Sequence, residues 1–149
     1  MKLTNRLIVM FIGSFIIQYF LIPPIMVNSI KDITNNVGKI YTVIIMCLLM
    51  GTLDVIMFDQ RYGVISYHLY TLFISFILLF TYLYRKQIAV NNKQYLEGMI
   101  EHHSMSIFTS EEILKKTNDY HIAKLAKNII QIQNDEIKMM QDLLTKTTQ

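Results

Sequence analysis

The stretch "EGMIEHHSMSIF" at residues 97–108 sets Met99, His102 and His103 within five positions. These residue types hold soft or borderline metal ions. On a helix, Met99 shares a face with His103 four positions on, and nearly with His102 three positions on. Imidazole plus thioether suits copper, above all Cu(I), better than magnesium or calcium, which take oxygen ligands. A metal-bound histidine also needs an acceptor on its other ring nitrogen. Gln133 or Glu136 can supply one if the helix carrying them, with Met140, folds back alongside. The same residues allow a reading without metal, in which His103 and Glu136 form a buried polar pair. An unpaired polar group on an apolar stripe loses on the order of several kcal/mol, so each needs a partner. No four-ligand zinc signature is present, and the Glu-x-x-His element of di-iron bundles is absent. Cys47 is the single cysteine, which excludes an internal disulfide. No residues assemble an open coordination position with a substrate pocket, so no catalytic residue is assigned and enzymatic activity is not expected.

A second candidate lies earlier in the chain. Asp54 and His68 each stand seven residues from Arg61, the centre of a short connection between two apolar runs. An antiparallel hairpin brings them to similar depth, where they can pair. Ionisable residues inside membrane spans are rare and often functional. The alternative is that both lie near the headgroups and are simply hydrated.

The elements that must position these residues fall into two parts. Of 149 residues, 52% are hydrophobic and 17% charged, unevenly spread. Leu7 to Ile30 carries no charge, Ile40 to Phe58 carries only Asp54, and Tyr62 to Tyr84 carries none. Each run approaches or exceeds the roughly 20 apolar residues of a spanning helix, and three of them argue against the core of a soluble protein. Spans are expected at about 7–27, 40–58 and 64–84. Tyr67, Tyr70, Tyr82 and Tyr84 lie toward the ends of the third, as in interfacial belts. Pro23-Pro24 is placed to stop or kink the first span. That span exceeds the apolar core of a signal peptide and has no small-x-small site, so it is expected to be retained.

Residues 85–91 read as a polar linker. From about Asn92 to Lys116, Leu96, Ile100, Ile107 and Leu114 recur at helical spacing. "KKTNDY" breaks the pattern, and Asn118 or Asp119 can cap a second helix from about Tyr120 to Leu144. Its expected inner stripe is Ile122, Leu125, Ile129, Ile132, Glu136, Met140 and Leu143. The fold class is therefore all-α: three transmembrane helices, then an antiparallel helical hairpin over 92–146. A turn centred near residue 118 brings Met99, His102 and His103 level with Gln133 and Glu136. A lone hairpin has an apolar stripe to cover, so a homo-oligomer, a dimer closing a four-helix bundle, is expected.

Net charge is +3, divided as +2 over residues 1–84 and +1 over the rest, with no basic cluster of the kind nucleic acid requires. With the N-terminus inside, Lys2, Arg6 and Arg61 lie within, against Lys31, Lys39, Arg85, Lys86 and Lys93 outside. Charge alone thus leans toward a cytoplasmic tail by two residues.

Met-Ile-x-His-His at 99–103, with Gln-x-x-Glu-Ile-x-x-Met at 133–140, resembles domain of unknown function 305, a ferritin-like helical domain. The likeness covers about Asn92 to Leu144. The continuation "HHSMSIFTSE" is similar to a membrane subgroup with three spans ahead of that domain. The resemblance implies a hairpin that is half of a ferritin-like bundle and faces the exoplasmic side. It also implies copper as the metal, with Met99, His102, His103 and Met140 as ligands or pocket residues and Gln133 and Glu136 in support. One position departs: where the family usually has proline, this chain has Glu101, a carboxylate beside the histidines. The expectation is a multi-pass membrane protein whose hairpin binds copper for sequestration or handover. The rival expectation is a membrane assembly protein with a buried His103–Glu136 pair and no metal.

Overall fold

The structure is a computed structural model that describes residues 3–147; Lys2 in the charge count and the last two residues of the expected frayed end lie outside them. The described residues are helical and contain no strand. Five helices carry the chain: α1 Leu3–Met26, α2 Val37–Tyr62, α3 Tyr67–Arg85, α4 Asn92–Leu114 and α5 Tyr120–Thr147. The first three are long and apolar enough to cross a membrane. The described residues divide into two compact units, one of residues 3–21 and 37–89, the other of residues 22–36 and 90–147.

In the first unit α2 is the central helix. Val43, Cys47, Leu48, Gly51 and Val55 are buried along it. Leu48, Val55 and Phe73 form a core joined by Leu7 and Phe11 of α1 and Leu69 and Ile77 of α3. Gly51 makes this packing possible: a Cβ there would lie 2.7 Å from the Phe11 ring and 3.1 Å from Phe73. The outer faces of α1 and α3 remain apolar and exposed, including Val9, Ile12, Leu78 and Leu79, as lipid-facing surfaces are. Gly63, at φ +65°, turns the chain between α2 and α3. The Asp59 carboxylate closes that turn by accepting the Ser66 N–H and hydroxyl, both at 2.7 Å.

α1 widens into a π turn at Ile17–Leu21 before its last turn, Ile22–Met26. Pro23 and Pro24 explain the widening, since a proline ring clashes with the carbonyl four residues back.

In the second unit α4 and α5 are joined by residues 115–119 and double back on each other. Asn91 caps α4, its Oδ1 accepting the Gln94 N–H at 2.9 Å. Asp119 caps α5, accepting from His121 N at 2.7 Å and Ile122 N at 3.1 Å. Ile100, Ile107, Ile137 and Met140 make the core between them, with Leu96, Met99, Ile130 and Leu144 packed against it.

The expected inner stripe of α5 is corrected here. Ala126, Ile130, Ile137, Met140 and Leu144 face α4, whereas Ile122, Leu125, Ile132 and Leu143 are exposed. Of the seven expected residues, Met140 alone belongs to the core. α5 carries two apolar stripes one residue apart, and one partner helix covers only one of them. The small Ala126, 4% exposed, permits close approach on the stripe that is covered.

Residues 22–36, read from sequence as the end of a span and a bare connection, group with α4 and α5. Two apolar helices, α2 and α3, separate residues 28–36 from α4. Two crossings of a bilayer return the chain to its starting side, so contact between these segments agrees with both helices spanning.

Candidate functional site

α4 presents two working faces. One, through Ile100 and Ile107, meets α5. The other, through Glu97, Glu101 and Ser104, meets residues 28–36.

On the first face the anticipated residues separate into three settings. Met99 and Met140 lie in or against the apolar core, where their side chains serve as filler. His102 is exposed, and its ring centroid lies 6.1 Å from that of His103. His103 is largely buried, with Nδ1 3.2 Å from Glu136 Oε2. Gln133 Nε2 reaches the same carboxylate oxygen at 3.4 Å. The structure therefore brings together His103, Glu136 and Gln133, as the register of the two helices required.

Burial pushes the His103 imidazole below its ordinary value of 6.5; the Glu136 carboxylate pulls the other way and His102 adds to the lowering. The ring is held neutral near pH 7. Its Nδ1 is buried and makes no hydrogen bond of good geometry, despite the nearby carboxylate. A neutral, buried imidazole nitrogen of this kind fits a soft metal ion. Of the other expected ligands, Met140 lies in the core, Met99 packs against it and His102 is exposed. Among the described residues, no three His, Cys, Asp or Glu side chains converge where they could hold a metal ion.

The second face was not foreseen. Ser104 is fully buried, and its hydroxyl donates to Asp32 Oδ2 at 2.6 Å. Ser104 Oγ in turn accepts the N–H groups of Asn28 at 3.1 Å and Ser29 at 3.3 Å. Three residues earlier, one turn along the helix, Glu101 is 5% exposed. Its Oε2 accepts the Thr34 N–H at 2.9 Å and hydroxyl at 3.2 Å. Gly98 leaves room for Asn36, whose side chain lies 3.4 Å from where a Cβ would sit. Residues 28–36 thus form a strap hydrogen-bonded along α4. Glu101, expected beside the histidines in support of a metal, belongs to this strap instead. The signal in the sequence was a pair of polar residues at spacing three, Glu101 and Ser104, next to an apolar stripe, matched by Asp32 and Thr34 in a short connection.

The intramembrane candidate is also corrected. Asp54 Oδ1 is held by the Arg6 guanidinium of α1, while His68 is exposed on α3. A carboxylate with a side chain 10% exposed takes the nearest cation that packing delivers, and α1 delivers Arg6. Spacing within the α2–α3 hairpin carried no information about α1.

Comparison with known proteins follows the same division. Residues 81–147 match the family described as Domain of unknown function (DUF305). An uncharacterized protein, L153, of Acanthamoeba polyphaga mimivirus is 35% identical over 140 residues, 94% of this chain and 91% of its own length. Neither description names a metal or an activity. No solved structure matches the chain. The helical pair and the segment leading into it carry the family's pattern, and the chain belongs to the family of domain of unknown function 305.

Proposed function

We propose that this chain is a multi-pass membrane protein whose α4–α5 pair serves as an assembly module outside the bilayer. The observation that carries this reading is the second apolar stripe of α5. Leu125 is 60% exposed and Met139 61%, on a helix whose other stripe already closes a core with α4. An exposed, largely apolar stripe of this length, interrupted only by Glu136, marks an interaction surface. Three long apolar helices with exposed apolar flanks support the membrane placement. The strap supports a rigid module, since it ties the connection between the first two helices to α4. The test is the copy number of full-length protein in lipid vesicles, by single-molecule photobleaching, for wild type and for Leu125→Glu/Ile132→Glu. Wild type is expected as an oligomer and the variant as a single copy; an unchanged count in the variant sinks the reading.

One observation favours a second reading, in which the module also binds copper. His103 offers a buried, neutral Nδ1 without a hydrogen bond of good geometry, beside a second histidine. The family resemblance of Met99, His102, His103 and Met140 points the same way. Purified full-length protein should then bind Cu(I) more tightly than its His102→Ala/His103→Ala variant. Equal binding by the two would dismiss copper.

A further inference from the structure

The exposed stripe of α5 runs from Ile122 to Leu143 in alternating steps of three and four, the a and d positions of a heptad. One edge of it, seven residues apart, carries His121, Asn128, Asp135 and Asp142. That edge has no acid in its first half and two in its second. The polarity along the helix decides between partners and between orientations.

We propose that a second copy of this chain covers the stripe, with the two α5 helices antiparallel and related by a two-fold axis. This deepens the assembly reading and rests on it. In the antiparallel register Ile122 packs against the partner subunit's Met139, and Ile129 against the partner subunit's Ile132. The same register sets His121 opposite the partner subunit's Asp142 and Asn128 opposite the partner subunit's Asp135. Each acid-bearing half-edge therefore meets an acid-free one. An antiparallel pair also opposes the two helix dipoles, whereas a parallel pair aligns them. A parallel pair would place Asp135 beside the partner subunit's Met140, which offers it no donor or opposite charge. An anionic bilayer surface is disfavoured as the occupant because Asp135 and Asp142 would face its headgroups. Glu136, the one charged residue on the stripe, stands opposite the partner subunit's Leu125 in this register and costs some stability, while its carboxylate stays half-exposed beside His103. The contact is isologous and so closes at two copies.

The register is read by cross-linking full-length protein in native membranes with a short, membrane-permeant bismaleimide, in a Cys47→Ala background. Copies carrying Ile122→Cys mixed with copies carrying Met139→Cys are expected to give a covalent dimer. Neither variant alone is expected to do so, because equivalent positions lie 17 residues, about 25 Å, apart along the paired helices. Cross-linking by Ile122→Cys alone would show a parallel pair and overturn the proposal. Absence of any cross-link while photobleaching still counts two copies would overturn this register and leave assembly standing. A count of one copy would remove both.

Discussion

Thr34 donates its backbone N–H to Glu101 Oε2 at 2.9 Å and its hydroxyl to the Glu97 carbonyl at 2.8 Å. One threonine in the connection between α1 and α2 thereby clasps two successive turns of α4. Glu101 is thus a structural acceptor with a defined partner. A helix-interior proline there would offer no carboxylate to the strap.

Replacing Glu101 with alanine leaves the Thr34 N–H without its carboxylate acceptor. Losing such a hydrogen bond in a buried setting costs about 1–3 kcal/mol. Hydrogen exchange of full-length protein should quicken across residues 28–36, with α2 and α3 unchanged. Glu101→Gln, which keeps an acceptor oxygen, should fall between. Unaltered exchange in the alanine variant would mean that the strap does not depend on Glu101.

His103 makes the α4–α5 pair sensitive to acid. Its folded value lies below its unfolded value near 6.5, because burial outweighs the attraction of Glu136. The neutral ring's contribution is therefore complete above about pH 6.5 and is lost as pH falls through the folded value. Exchange protection of α4 and α5, followed from pH 7.5 down to 5, should decline over that window. His103→Gln should flatten the decline. An identical profile in the variant would assign the acid sensitivity elsewhere.

Arg6 and Asp54 form the ion pair that links α1 to α2. Arg6→Leu strands a buried carboxylate and should destabilise the three-helix unit by about 3–5 kcal/mol. Asp54→Leu added to it should recover much of that loss, since neither charge then remains buried. Unfolding in detergent titrations measures both. A double variant no more stable than Arg6→Leu would deny the coupling.

The helices were legible in the sequence because their causes are local. Charge-free runs marked the apolar helices, Asn118 or Asp119 marked the start of α5, and the seven-residue spacing of Ile100 and Ile107 marked the inner face of α4. The His103–Glu136 encounter followed from register about a short turn. What stayed hidden depended on choices between equals. α5 has two adjoining apolar stripes, so period alone could not say that Ile130 and Ile137 face inward while Ile132 and Met139 face out. Asp54 had candidate partners on two helices, and only packing around Gly51 sets α1 against α2. Glu101 adjoins the histidines in sequence, yet on a helix adjacent residues point about 100° apart. That turn carries it to the strap.

The central claim is that the exposed stripe of α5 joins copies of a membrane-embedded chain. Counting copies of full-length protein per assembly in lipid vesicles, before and after Leu125→Glu/Ile132→Glu, tests it most directly. The account predicts two copies for wild type and one for the variant, with helical content unchanged. One copy for wild type, or two for the variant, would contradict it.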